Sequence, residues 1–314
     1  MTATILAALL PVVFVVGLGL LAARWHIVEK TSAPAFAEFI VRFALPIALF
    51  GGVLKISPNQ IENGPYIVAM VVGLMIPYAI AFAVGRFVLR HDLADSALQG
   101  LTSAFPSMAY SGLPVLEAVV GPGGILAVVV GNLVTSLIMI PLTLVLVHLG
   151  QGGSQQGSIA MQAGRSSVAS VQQPVVWLPI AGAVLALAGV HLPEVLDLSL
   201  DLIGKSAAGV ALFTLGLMLY GQRLRIDFDI ALNASLKNIG QPVAMLALVF
   251  VLGIHGAPAK ELFLTGAIPT ATAASMLALR YRAYTDEAAA STLISTVACV
   301  VTITIAIIVA GQLG

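Results

Sequence analysis

The chain has 314 residues, 59% of them hydrophobic and 9% charged, with 14 Lys+Arg balanced by 14 Asp+Glu. A water-soluble domain carries about 25% charged residues because its surface faces water. This composition, with a mean hydropathy of +1.05, therefore excludes a soluble enzyme, a nucleic-acid binder and a disordered chain, and leaves a polytopic membrane protein.

A helix crosses a bilayer with about 20 apolar residues. Apolar runs between charged or Gly/Pro-rich breaks predict ten spans. They lie near 4–23, 35–54, 65–89, 96–119, 124–148, 174–190, 200–220, 229–253, 260–279 and 287–311. The first run, Ile5 to Ala23, has no Lys or Arg ahead of it. A cleavable signal peptide opens on a basic stretch, so this run reads as a span. Between spans five and six, 150–173 is rich in Gly, Ser and Gln and reads as a flexible cytoplasmic linker. Glu194 to Asp201 sets acids among leucines, as in a short interfacial helix leading into span seven. The runs are continuous rather than alternating, which argues against a β-barrel. Thirty glycines suit helices that approach closely in lipid. The single cysteine, Cys299, excludes an intrachain disulfide and a cysteine metal site.

With ten spans, alternate loops share a side. One side carries Arg24, Lys30, Arg86, Arg90, Arg165, Arg223, Arg225, Arg280 and Arg282; the other carries Lys55, Lys205 and Lys260. The positive-inside rule then sets both termini outside the cytoplasm.

The two halves match at one constant offset. PVVF at 11–14 faces PVVW at 174–177, ALF at 48–50 faces ALF at 211–213, and LTSAFPS at 101–107 faces LTGAIPT at 264–270, each 163 residues apart. The third and eighth spans match poorly. Each half holds five spans, an odd number, so the second half enters from the opposite side. The expected architecture is all-α, two inverted five-helix repeats at 1–149 and 174–314 joined by the 150–173 linker, which is typical of secondary transporters.

Pro106 and Pro269 fall mid-span at matching positions. Proline removes a ladder donor and clashes with the preceding turn, so spans four and nine are expected to break there. Ser103, Ser107 and Ser111 accompany the first break; Thr265, Thr270, Thr272 and Ser275 accompany the second. Each following half-helix opens with unpaired N–H groups and a partial positive charge, which suits an anion.

These segments carry a family resemblance. FPSMAYSGLPVLEAVVG in span four, IPTATAASMLALRYR in span nine, STLIST at 291–296 and FALPIALF at 43–50 resemble the auxin efflux carrier family in its bacterial branch, within the bile acid/auxin transporter superfamily. The resemblance covers essentially the whole chain. It implies crossing broken helices in a mobile transport unit, moving like an elevator against a dimerising scaffold of spans one, two, six and seven. It also implies an inner (plasma) membrane setting and small organic anions as substrates, such as auxin, malonate or other carboxylates. Many members carry an asparagine where this chain has Ser107, and no asparagine lies near Pro269.

Other polar residues in the spans have competing readings. Lys237 in span eight either snorkels to the headgroups or is a buried cation that attracts a carboxylate or exchanges a proton. Arg42 and Lys205 correspond by the repeat and read as interfacial anchors, with Asp201 placed i,i+4 to pair with Lys205. Glu117 reads as a solvated span end or a proton-sensitive gate, and the five histidines as interfacial. Ser291, Ser295, Cys299 and Thr302 line one face of span ten, and Asn132, Thr135 and Ser136 one face of span five. Helix–helix hydrogen bonding and cavity lining both account for them.

No HExxH, paired membrane aspartates or Ser–His pair at membrane depth points to an enzyme, and no metal or cofactor motif is present. The expected function is secondary transport of a small organic anion, proton-linked and by alternating access. The candidate site is Pro106, Ser107, Tyr110, Ser111, Asn132, Lys237, Pro269, Thr270, Thr272, Ser275 and Ser295. A sodium-coupled carrier like the bile-acid symporters, or a ligand sensor without flux, are the alternatives.

Overall fold

The computed structural model describes residues 14–54, 63–121, 124–151, 174–190, 192–221 and 226–313. The start of the first span (4–13), the linker beyond Gln151, His191, Lys55, Arg165, Arg223 and Arg225 lie outside them. The described residues form helices throughout, with no β-strand. In chain order these are α1 (Phe14–Arg24), α2 (Ala33–Phe39), α3 (Leu45–Leu54), α4 (Gly64–Val88), α5 (Leu93–Ala104), α6 (Leu113–Val120) and α7 (Gly124–Gly150). The second half adds α8 (Pro174–Leu187), α9 (Glu194–Gly204), α10 (Ser206–Leu219), α11 (Phe228–Val251), α12 (Ala257–Ala267), α13 (Thr272–Tyr281) and α14 (Thr285–Ala310). Among them α4, α7, α11 and α14 are long and apolar enough to cross a membrane.

Local chemistry sets the ends and irregularities. The Asp92 side chain accepts the Asp95 N–H at 2.7 Å and opens α5; Asp227 accepts the Ile230 N–H at 3.0 Å and opens α11. Of the five π-turns among the described residues, Ile40–Ala44, Met108–Gly112, Thr135–Met139 and Leu236–Gly240 each end two residues before a proline (Pro46, Pro114, Pro141 and Pro242), while Val84–Val88 does not. A proline inside a helix cannot donate to the carbonyl four residues back, and the wider i→i+5 turn ahead of it adapts the ladder. The acidic-leucine stretch forms α9, with Val195, Leu198 and Leu202 exposed at 78%, 62% and 79%.

The chain divides into two compact units. The first is Met1–Gly64, Met108–Asn132 and Gln172–Gln222. In it α3 packs against α8 and α9, and α10 against α2. Phe36 meets Phe213 edge-on at 6.1 Å, over a core of Ala22, Ala23, Ala33 and Leu217. A Cβ on Gly19 would lie 2.1 Å from the Phe213 carbonyl oxygen, and one on Gly216 2.1 Å from that of Val16. Helices α1 and α10 therefore touch backbone to backbone, which only glycine permits.

The second unit is Pro65–Ser107, Leu133–Val171 and Arg223–Gly314. Helix α11 is its spine: the first half packs on α14 and the second on α12, while α5 lies along the end of α7. Tyr78 and Thr143 join α4 to α7 through a buried hydroxyl pair at 3.0 Å.

Candidate functional site

The two proline breaks lie in the second unit and cross. Helix α5 ends at Ala104, and Phe105 turns extended (φ −73°, ψ 107°) into Pro106. Helix α12 ends at Ala267, and Ile268 turns extended (φ −66°, ψ 136°) into Pro269. Pro106 and Thr270 form an antiparallel bridge: the Ser107 N–H donates to the Pro269 carbonyl and the Ala271 N–H to the Phe105 carbonyl, both at 2.8 Å. Each break thus supplies the hydrogen bonds that the other lost, as a water-free interior requires. The Thr270 hydroxyl donates to the Thr102 carbonyl at 3.0 Å, and the Thr270 N–H to Ser295 Oγ on α14 at 3.0 Å.

Helix α11 ties both breaks to α14. Asn233 accepts from Ser103 Oγ (2.9 Å) and donates to the Tyr284 hydroxyl (2.9 Å) and Ser291 Oγ (3.0 Å). Asn238 accepts from Ser295 Oγ at 2.6 Å and donates to the Ser295 carbonyl at 2.8 Å. Gln241 donates to the Ala104 carbonyl at 2.8 Å. Lys237 is fully buried; its ammonium donates to the Gly266 carbonyl at 3.1 Å and to Gln241 Oε1. Neighbours Lys237 and Asn238 are both buried because the π-turn carries them, one toward α12 and the other toward α14.

A polar cluster lies at the start of α5. His91 sits 3.4 Å from the Asp229 carboxylate and 3.2 Å from Gln99 Oε1, with its ring tilted over Tyr284. Burial, then the nearby Asp92 charge, pushes the Asp95 carboxyl above its ordinary value, against the pull of the Tyr284 N–H and His91. Burial also pushes the Tyr284 phenol up, so it stays neutral.

Of the sequence candidates, Pro106, Ser107, Pro269, Thr270 and Ser295 meet at the crossing, and Thr272 opens α13 directly after it. The Ser107 hydroxyl has no hydrogen-bond partner among the described residues, although the residue is 4% exposed. Ser275 bonds the Ala288 carbonyl (3.0 Å) and Thr292 (2.8 Å), so it fastens α13 to α14. Lys237 reaches a helix end in the protein interior, not the headgroups. Tyr110, Ser111 and Asn132 belong to the first unit, and the Tyr110 side chain lies outside the described residues. Arg42 pairs with Glu38 and Lys205 with Asp201, each at 3.1 Å and largely exposed. Glu117 is exposed. The serine stripe of α14 serves as hydrogen-bonding surface for α11 and the second break.

Sequence reasoning passed over Asn233, Gln241 and the buried pair in which the Tyr66 hydroxyl donates to Glu261 Oε2 at 2.9 Å. One signal was available. Asn233, Lys237 and Gln241 recur every four residues in an apolar span, which marks one helix face.

The family profile described as membrane transport protein matches residues 4–307. The uncharacterized transporter YfdV of Escherichia coli (strain K12) is 28% identical over 298 residues, 94% of each chain. A putative malonate transporter of Rhizobium meliloti (strain 1021) is 26% identical over 304 residues, 96% of this chain and 94% of its own. Auxin efflux carrier component 5 of Arabidopsis thaliana is 20% identical over 289 residues, 82% of each chain. A profile match over nearly the whole length, on a helical chain with several apolar helices, makes this protein a membrane transporter of the auxin efflux carrier family.

Proposed function

We propose that the protein is a secondary active carrier of a small organic carboxylate, proton-linked and working by elevator-like alternating access. The observation that carries this reading is the crossing of two extended breaks, with the unpartnered Ser107 hydroxyl and the first N–H groups of α13 at Thr272 beside it. A helix start presents unpaired donors and partial positive charge, which suits a carboxylate, and hydroxyls complete its hydrogen bonding. Ser107 and Thr272 are the proposed binding residues, with Pro106 and Pro269 holding the breaks open and Thr270 and Ser295 pinning them. Malonate is the first substrate to test, from the putative malonate transporter among the relatives.

The proposal includes ten spans in two inverted repeats of five. Helix bounds at the 163-residue offset support it. Moved by 163, Gly64–Val88 falls on 227–251, where α11 is Phe228–Val251, and Gly124–Gly150 falls on 287–313, where α14 is Thr285–Ala310. The third and eighth spans, poorly matched in sequence, thus correspond in extent. Residues 1–64 and 172–222 gather in one compact unit, together with 108–132 of spans four and five, and spans one, two, six and seven are the proposed scaffold and homodimer contact. Both termini are proposed to lie outside the cytoplasm, across an inner (plasma) membrane.

A thermal-shift screen of small carboxylates on purified protein tests the substrate class, because a ligand bound to the folded state raises the midpoint by mass action. Shifts with malonate or a related carboxylate, followed by proteoliposome uptake under a proton gradient, are expected. Shifts only with neutral or cationic compounds would sink the anion reading. Uptake driven by sodium alone would favour the bile-acid-symporter-like alternative, and binding without flux a sensor.

A further inference from the structure

Helices α5 and α12 both end at the crossing, and a helix end carries orphan carbonyls and a partial negative charge. Two side chains one turn apart on α11 answer both ends. Gln241 donates to the Ala104 carbonyl of α5 at 2.8 Å, and Lys237 donates to the Gly266 carbonyl of α12 at 3.1 Å. The two are themselves joined, the Lys237 ammonium donating to Gln241 Oε1. One ammonium therefore serves both half-helices, directly at α12 and through an amide at α5. It is fully buried, and no described carboxylate lies within ion-pair distance of it. Among the described residues its charge is met by the Gly266 carbonyl, the Gln241 amide oxygen and helix dipoles, with the Cys299 thiol nearby. Gly266 makes the approach possible: a Cβ there would lie 2.7 Å from the Pro242 Cα, so α12 rests directly on the backbone of α11. The neighbouring Thr265 hydroxyl is buried without a hydrogen-bond partner among the described residues, leaving a spare oxygen on the same turn.

Carbonyl oxygens at half-helix C-termini are the ligands from which carriers build sites for coupling cations. We propose that Lys237 is a built-in cation occupying such a site, so that the crossing is held closed without sodium or any other soluble cation. Lys237 is then a positioning residue, acting through α5 and α12 rather than on the substrate. The functional consequence, substrate binding independent of sodium, rests on the carrier reading above; occupancy of the site does not.

The test compares thermal unfolding midpoints in sodium chloride and in choline chloride at equal ionic strength, with no carboxylate present. It therefore reads the cation site whether or not the carboxylate screen succeeds. Wild-type protein is expected to unfold at the same midpoint in both salts. Lys237→Ala vacates the site while leaving the Gly266 and Gln241 oxygens; it should unfold lower in choline and recover several degrees, saturably, with sodium. Lys237→Met fills the space without charge and should gain nothing from sodium. A wild-type midpoint raised specifically by sodium would overturn the proposal. So would a Lys237→Ala protein that sodium fails to recover, or a sodium gain as large in Lys237→Met as in Lys237→Ala.

Discussion

Ser291 and Ser295 lie one turn apart on the same face of α14, at 1% and 0% exposure, yet their loss should differ severalfold in cost. Ser295 Oγ accepts the Thr270 N–H at 3.0 Å and donates to Asn238 Oδ1 at 2.6 Å. Alanine removes one oxygen, too small a space for water, and strands a buried donor and a buried acceptor. At about 1–3 kcal/mol for each unsatisfied group, Ser295→Ala should cost roughly 2–6 kcal/mol. Ser291 Oγ accepts from Asn233 Nδ2 at 3.0 Å, and that amide also donates to the Tyr284 hydroxyl at 2.9 Å. Ser291→Ala then strands at most one N–H, for about 1 kcal/mol. The average for membrane hydrogen bonds, about 0.6 kcal/mol, would make both losses small and similar. Thermal unfolding midpoints of the two variants in one detergent decide between these. Equal midpoints would refute the assignment of Ser295 as the pin of the second break.

Gly19→Ala drives a methyl into the Phe213 carbonyl and should destabilise the protein severely, whereas Gly17→Ala, with nothing within 4 Å, should be neutral; expression and midpoint in detergent distinguish them. Tyr66→Phe removes the donor to Glu261 at 2.9 Å, and the Tyr66→Phe/Glu261→Gln double-mutant cycle should return a coupling of about 1 kcal/mol or more, where zero would dismiss the pair. Asp95 has its proton affinity raised in the fold, so its stabilising contribution is full below the unfolded value near 3.8 and is lost as pH rises through the raised value. Asp95→Asn should accordingly exceed wild type in midpoint at pH 7, with the gap closing as pH falls toward 4; a gap independent of pH would contradict this.

The breaks and long spans were legible because one residue type or one long run decides them. Pro106 and Pro269 forbid a continuous ladder whatever surrounds them, and α4, α7, α11 and α14 begin and end within a few residues of the predicted spans. The partners of the breaks were not legible. Ser107 and Thr270 are similar hydroxyls in sequence, yet one is unpartnered and the other is bonded through both its hydroxyl and its N–H. That difference depends on which helix lies alongside, and no local pattern encodes it. The π-turns are intermediate. Four of the five described ones are followed by a proline, Pro46, Pro114, Pro141 or Pro242, but Pro77 and Pro179 sit inside α-helices without such a turn. Val84–Val88 takes the wide turn with no proline after it, so proline favours the turn without deciding it.

Charge scarcity gains its meaning from Lys237 and Glu261, which are 0% and 3% exposed. A buried charge persists only where the surroundings answer it, and the answers here differ in kind. Glu261 has a single phenol, a partner equally suited to the neutral acid. Lys237 has a helix carbonyl and an amide oxygen, acceptors whose dipoles favour the cation. Lys237 and Gln241 thus join the ends of α5 and α12, while Glu261 fixes α12 to α4.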